Sequence, residues 1–214
     1  AKVALVARTK NKLEEVAIQI GERAFPIVAD VTEASDNELM VQKTLEKFGK
    51  LDVVFVNAGM FIEGDLAEGD PEHWAAGIDL NITAVCRTLR ATLPHFIAQK
   101  SGHVLVTTSV AGKRWQRGQT VYCASKAAVN AIVEGLRLEM LEHNVRVTAI
   151  APGWVANEFW EDVEAFSDNT LQAALKDERA ILSEDIAAGV VYALTQPHRV
   201  NVNDIVIRPL KQQH

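Results

Sequence analysis

Six short runs of apolar and largely β-branched residues recur along the chain: VALVA at 3–7, FPIVA at 25–29, VVFV at 53–56, HVLVTT at 103–108, VRVTAI at 145–150 and DIVI at 204–207. Within each run apolar side chains occupy successive positions instead of alternating with polar ones, the pattern of strands covered on both faces. Between the runs lie stretches with helical spacing, such as Asn11 to Ile20, Asn37 to Phe48, Pro71 to Gln99 and Ser183 to Gln196. A strand–helix rhythm of this kind predicts an α/β fold with a parallel sheet, each helix serving as the crossover between consecutive strands.

Helix boundaries are marked by local chemistry. Asp70 before Pro71 reads as an N-cap followed by proline at the first helical position. Ser183, with Glu184 and Asp185 after it, reads as a cap with two carboxylates at the positive end of a helix dipole. Pro94 falls inside the long segment and predicts a bend. Val121 to Leu141 differs, because small or apolar residues (Ala124, Ala127, Ala128, Val129, Ala131, Ile132, Val133, Leu136) stand on nearly every side. A helix apolar all round is buried all round. The sheet covers one face, so a neighbouring helix or a second subunit must cover the other, and a homo-oligomer, dimer or tetramer, is expected.

Composition narrows the function classes. A chain of 214 residues with 48% hydrophobic content and mean hydropathy near zero suits one compact domain with a substantial core and no linker. A net charge of -6 gives no basic footprint for nucleic acid, and no apolar run reaches membrane-spanning length. Cys86 and Cys123 fit neither a C-x-x-C pair nor a disulfide framework and read as buried reduced thiols. The six histidines are scattered without ligand spacing and read as surface or helix-end residues, so no metal is assigned. The N-terminus carries no signal-peptide pattern, and a soluble cytoplasmic protein is expected.

Four elements carry candidate chemistry. Tyr122 and Lys126, in YCASK, are spaced i and i+4 and share a helix face. Lowering a tyrosine from a pKa of about 10 to about 7.5 takes roughly 3.4 kcal/mol. An ammonium about 4.5 Å away, at an effective dielectric of about 20, supplies roughly 3.7 kcal/mol. Ser109 follows the run HVLVTT, at the carboxyl end of a predicted strand, where ligands bind in open parallel sheets. Asn57, Ala58 and Gly59 follow VVFV in the same way, with glycine permitting close approach of backbone to ligand. Asn81 marks an interruption of the long helical segment, where its amide holds either a water or a backbone group.

Together these features resemble the classical short-chain dehydrogenase/reductase family over Lys2 to Pro209. The matching stretches are ARTKNKL after the first strand, ADV at 29–31, VNAG at 56–59, LN at 80–81, TSVAG at 108–112, YCASK at 122–126 and APGWV at 151–155. AEGDP, LPHFIAQKSG and VNVNDIVIRP look most like the bacterial ribitol dehydrogenase branch. The ending is also similar to reductases related to clavulanate biosynthesis and to 3-hydroxy acid dehydrogenases. The resemblance implies a Rossmann-type doubly wound parallel sheet and an NAD(P)-dependent oxidoreductase that interconverts a secondary alcohol, of polyol or hydroxy acid type, and its carbonyl. It gives Tyr122 the proton transfer, Lys126 the lowering of its pKa and the hold on the nicotinamide ribose, Ser109 the substrate oxygen, and Asn81 a water linking Lys126 to solvent. It sets Asp30 and Val31 beside the adenine, Asn57, Ala58 and Gly59 behind the adenosine ribose, and Pro152, Gly153 and Val155 against the nicotinamide.

The sequence departs from the family pattern at its start. The T-G-x-x-x-G-x-G turn that cradles the pyrophosphate is absent, and Ala1 to Ala7 matches the second strand of the family. Residues 1–214 are therefore expected to form a single dinucleotide-binding domain that is N-terminally incomplete, with a gap where a central strand belongs in the order 3-2-1-4-5-6-7. After the first strand here, Ala7 and Arg8, with Lys10 nearby, suit the 2'-phosphate of NADP better than the 2'-hydroxyl of NAD, although Arg8 equally suits stacking on adenine. Asn157 stands where the family often has threonine. Trp154 to Leu182, with Phe159, Trp160 and Phe166, reads as a mobile lid or as core. Lys113, Arg114, Trp115 and Arg117 read either as contacts favouring an acidic substrate or as a solvated loop. The rival to an enzyme is a non-catalytic dinucleotide-binding or regulatory protein on the same fold.

Overall fold

The computed structural model describes residues 1–160 and 168–212. Strands β1 (Val3–Ala7), β2 (Ala24–Val28), β3 (Val53–Val56), β4 (Gly102–Thr107), β5 (Val145–Pro152) and β6 (Asp204–Ile207) alternate with helices α1 (Lys10–Ile20), α2 (Ala34–Phe48), α3 (Pro71–Ile78), α4 (Ala84–Gln99), α5 (Thr120–Glu139), α6 (Asp168–Lys176) and α7 (Ser183–Thr195). All strand pairs are parallel, and each of the six strands overlaps one of the six apolar runs, with ends shifted by one or two residues in β2, β4 and β5. The strands form two ladders, β1-β2 and β3-β4-β5-β6. Among the described residues no ladder joins them, which is the interruption that the family resemblance implies. Val3 of β1 and Val53 and Phe55 of β3 are partly exposed as a result.

The four-stranded ladder is the centre of a three-layer arrangement. On one face Val85, Leu89 and Phe96 of α4 and Val129, Val133 and Leu136 of α5 pack on Val56, Val104, Val106, Val147 and Ala149. On the other, Leu105 and Ile150 meet Ile186, Val190 and Ala193 of α7. Residues 103–106 of β4 are therefore buried in succession, which is why that strand reads as continuously apolar. Removing side chains of this size from water stabilises by about 1.5–3 kcal/mol each.

Several local expectations need correction. Asp70 caps α3 as read, its carboxylate accepting the Glu72 N–H at 3.0 Å. At α7 the N-cap is Leu182, not Ser183, and Asp185 reaches back to accept the Leu182 N–H at 2.9 Å. The Pro71–Gln99 segment is broken at Asp79–Thr83 by one π-helical turn in which the Ala84 N–H reaches the Asp79 carbonyl, while Pro94 sits within α4. Helix α5 is not buried all round: Ala124, Ala131, Gly135 and Leu138 are exposed, Leu138 to 55%. Cys86 is also exposed, and Cys123 is buried; both are free thiols.

His103 is a further correction, because it lies in the core and not at the surface. Its Nε2 shares a hydrogen bond of 2.8 Å with Thr148 Oγ1 on the neighbouring strand, and its Nδ1 has no partner. Burial, reinforced by the nearby Arg146 guanidinium, lowers its pKa to about 4. The unfolded chain therefore binds a proton near pH 6.5 that the folded chain refuses until about pH 4, so folding stability falls as pH drops through that window. In His103→Gln, whose amide keeps a partner for Thr148, the loss of stability between pH 7 and pH 5 is expected to be smaller than in the parent. Urea unfolding midpoints at the two pH values measure it, and equal losses in both proteins would refute this role for His103.

Candidate active site

The carboxyl ends of β3, β4 and β5 open onto one cavity of about 730 Å³. Its wall includes Asn57 and Gly59 after β3, Thr107 at the end of β4 and Ser109 beyond it, Tyr122 and Lys126 from the start of α5, Pro152 at the end of β5, and Gly153 and Val155 beyond it. Parallel strands all deliver their ends to one side, so residues far apart in sequence meet there. Ser109 has extended backbone, and its Oγ accepts the Ala111 N–H at 3.1 Å, which turns the chain into a short helical turn at Val110–Gly112. Gly112 lets that turn lie on α5, since a Cβ there would come within 2.7 Å of the Lys126 carbonyl oxygen.

Tyr122, Ser109 and Lys126 are brought together as the sequence predicts. The Ser109 hydroxyl lies near enough to the Tyr122 phenol to favour its ionised form. The Lys126 Nζ stands 5.9 Å from the Tyr122 ring centroid and donates to the Thr107 carbonyl at 3.4 Å. The electrostatics differ from the sequence-based expectation. Burial pushes the Tyr122 phenol up to about 12, with the Ser109 hydroxyl opposing it, and burial pushes Lys126 down to about 8. Loss of hydration outweighs the attraction of an ammonium this far from the ring, so lysine alone does not bring the phenol toward neutrality.

Asn81 stands behind this pair in the π turn and is only 1% exposed. Its Oδ1 accepts the Met60 N–H at 2.9 Å, and its Nδ2 donates to the Met60 carbonyl at 2.9 Å and to Ser125 Oγ at 3.2 Å. Of the two alternatives open in the sequence, the backbone group is the one seen. Both amide protons are used, and one lone pair on Oδ1 remains. Ser125, which the sequence alone does not single out, completes the link by donating to the Tyr122 carbonyl at 2.7 Å. Its i+3 spacing from Tyr122 within YCASK is the one local signal of this role.

Arg8, Asp30 and Val31 lie outside the cavity wall, at the ends of β1 and β2. Arg8 is 3.9 Å from Asp30 and three-quarters exposed. The Asp30 carboxyl is held below its usual range chiefly by the hydroxyl of Thr32, at 2.7 Å, and by the Thr32 N–H at 2.9 Å. The loop that carries Val31 is tied down from inside: buried Asn37 donates to the Val31 and Glu33 carbonyls, both at 2.8 Å, and accepts from Thr88 of α4 at 2.7 Å. Ala58 is exposed between Asn57 and Gly59. Asn57 accepts a hydrogen bond from Thr107 at 2.6 Å.

The cations between Ser109 and Tyr122 do not line the cavity. Lys113 pairs with Asp204, Arg117 with Asp65 at 3.5 Å, and Arg114 and Trp115 are exposed. Gln116 and Gln119 of the same segment are in the wall instead, joined from elsewhere by Arg179 and Gln212. Phe159 and Trp160 also face the cavity and pack into an aromatic cluster with Phe61 and Tyr122; Phe61 lies 5.1 Å from both Tyr122 and Trp160. Phe166 lies outside the described residues. Asn157 lines the cavity, donates to Ser183 Oγ at 3.2 Å and accepts the Phe159 N–H at 3.1 Å. No group of three potential metal ligands gathers among the described residues, and no helix there is long and apolar enough to cross a membrane.

Known proteins share this arrangement. The family model for short chain dehydrogenase matches residues 1–168. An uncharacterized oxidoreductase of Staphylococcus saprophyticus is 37% identical over 213 residues, covering 98% of this chain and 87% of that protein. One from Staphylococcus epidermidis is 36% identical over 210 residues, with the same shares covered. Among solved structures, the closed form of serine dehydrogenase complexed with NADP+ superposes with a TM-score of 0.93 at 27% identity, covering 100% of this chain and 87% of that one. The alcohol dehydrogenase from the archaeon Thermococcus sibiricus complexed with 5-hydroxy-NADP gives 0.86 at 29% identity, with the same shares covered. The ribitol dehydrogenase branch is not singled out by these relatives. With the family's motifs gathered at the ends of β3, β4 and β5, the chain belongs to the short-chain dehydrogenase family of oxidoreductases.

Proposed function

We propose that this protein interconverts a secondary alcohol, of polyol or hydroxy acid type, and its carbonyl, with NADP as the hydride carrier. The observation that carries the reading is the meeting of Ser109, Tyr122 and Lys126 on one cavity wall with Asn57, Gly59 and Pro152 to Val155. A dinucleotide fits these residues. A Cβ on Gly59 would stand 3.1 Å from Asn81 Oδ1 and 3.5 Å from Lys126 Nζ, so the bare Cα leaves a hollow beside the ammonium that a ribose suits. Lys126 carries three N–H groups and gives one to Thr107, leaving two for ribose hydroxyls. Pro152, Gly153 and Val155 then flank the nicotinamide, and Asp30 and Val31 border the adenine. NADP, with NAD as the lesser alternative, is favoured by Arg8, whose exposed guanidinium makes only a long pair with Asp30 among the described residues, and by the NADP forms bound to two similar structures.

The bound nicotinamide supplies or accepts the hydride and, when oxidised, adds a positive charge beside the phenol. Tyr122, protonated at neutral pH, donates its proton to the carbonyl oxygen during reduction and takes it back during oxidation. Ser109 holds that oxygen in line with the phenol, and the Lys126 ammonium stabilises the phenolate as it forms. Around the reacting carbon, the amides of Gln116 and Gln119 suit hydroxyl groups, and Arg179 suits a carboxylate. The protein is a single dinucleotide-binding domain in this reading. It assembles as a dimer or tetramer that covers the exposed small and apolar residues of α5, and it works in the cytoplasm, where its two thiols stay reduced.

Three outcomes test the reading. Tyr122→Phe should lower kcat by at least about 100-fold while leaving the Kd for NADPH nearly unchanged; turnover retained by this variant would remove Tyr122 from the reaction, and a parent inactive across polyols, hydroxy acids and their carbonyls would favour the non-catalytic alternative. For carbonyl reduction, kcat/KM should fall as pH rises past about 8, where Lys126 loses its charge; a flat profile between pH 7 and pH 10 would contradict that role. Arg8→Ala should lower the preference for NADPH over NADH at least about 10-fold, the scale of one charge-assisted hydrogen bond, and an unchanged ratio of kcat/KM would instead leave Arg8 stacking on adenine.

A further inference from the structure

The loop after β5 is held from two sides. On one side the Trp154 carbonyl accepts the Ile181 N–H at 3.0 Å and the Ala156 N–H reaches the Ile181 carbonyl at 2.8 Å. On the other, the segment that follows β6 folds back across it. The Gly153 N–H reaches the Ile207 carbonyl at 2.7 Å, and Gln212 Oε1 accepts the Trp154 N–H at 3.1 Å. Gln212 is placed for this by a turn, its own N–H bonding the Pro209 carbonyl at 3.2 Å. Lys211 anchors the same turn to the chain after α6 twice, through its N–H to the Glu178 carbonyl at 3.1 Å and through its ammonium to the Glu178 carboxylate at 2.9 Å.

Gly153 is what allows the approach. A Cβ there would overlap Gln212 Oε1 and stand 2.9 Å from Pro209 Cδ and 3.2 Å from Arg208 Cα. The glycine therefore serves the contact with the C-terminal segment as well as the cavity. Gln212 itself reaches the cavity wall, so a residue near the end of the chain touches the space between Tyr122 and the β5 loop.

We propose that Gln212 is a positioning residue for cofactor: by holding the Trp154 N–H, it sets the conformation of Gly153 to Val155 against the nicotinamide. This rests on the reading of the cavity as a dinucleotide site. It acts on the nicotinamide end alone, because Arg8, Asp30 and Val31 lie on other strand ends. Gln212→Met keeps the length of the side chain and removes the acceptor, whereas Gln212→Glu keeps an acceptor oxygen. Gly153→Ala puts a methyl group into the space held by Gln212 and against Pro209 and Arg208.

The test measures binding of NADPH and of adenosine 2',5'-bisphosphate, which carries only the adenine half, together with kcat. Gln212→Met is expected to weaken NADPH at least about 5-fold, the loss of roughly one hydrogen bond, and to lower kcat, with the affinity for the bisphosphate unchanged. Gln212→Glu should recover most of the kcat. Gly153→Ala should weaken NADPH as well, because its Cβ drives the C-terminal segment off the β5 loop. Parent-like NADPH binding and kcat in Gln212→Met would overturn the proposal, as would equal weakening of the bisphosphate. A parent protein that binds neither probe would instead remove the dinucleotide reading on which the proposal stands.

Discussion

Asn81 spends its side-chain amide almost wholly inside the protein, on the N–H and carbonyl of Met60 and on the hydroxyl of Ser125. This bond set ties three elements that share no strand pairing: the chain leaving β3, the π turn between α3 and α4, and the first turns of α5. Buried polar groups left without partners cost about 1–3 kcal/mol each, so the Met60 backbone and the π turn depend on one another. The π turn is the local cost of the arrangement, an irregularity of the kind that proteins retain at functional positions. Its return is the placement of Gly59, Tyr122 and Lys126 around one hollow.

The electrostatics of that hollow follow from its dryness. Lys126 and Tyr122 are both withdrawn from water, and each is driven toward its neutral form, the phenol up and the ammonium down. The ammonium, near its titration point, responds to whatever charge is brought beside it, whereas the phenol holds its proton. In water the same two groups would be locked in their ordinary states across the physiological range. Burial thus makes Lys126 responsive while fixing Tyr122 in its protonated form, and the Thr107 carbonyl and the Asn81 bond set keep the two in place.

The parallel sheet supplies the rest. Because every strand of the β3–β6 ladder ends on the same side, the loops after β3, β4 and β5 converge without any sequence proximity, and α5 returns the tyrosine and lysine to that edge. The β1-β2 ladder contributes separately. Its loop at Asp30 to Glu33 is organised by Asn37 and Thr88, so that α2 and α4 fix the conformation of residues that stand apart from the cavity.

The gap between the two ladders followed only from the resemblance to the family. By itself the sequence determined all six strands, the cap at Asp70, the break at Asn81 and the gathering of Ser109, Tyr122 and Lys126. These are local signals or spaced motifs: apolar runs record burial on both faces, and an i, i+4 pair records a shared helix face. What it left undetermined depended on distance through space. His103 reads as a surface residue because nothing local reveals that the closed layers around β4 keep water from it. Lys113 and Arg117 read as possible substrate contacts, yet their partners, Asp204 and Asp65, are remote in sequence. A partly hydrated lysine close to the phenol would have lowered its pKa as expected, but the tertiary structure set the distance and removed the water. Gln212 carries no signal at all, since only the return of the chain after β6 brings it to Trp154. Local periodicity and spacing are written in the order of residues; desolvation and long-range pairing exist only once the layers have closed.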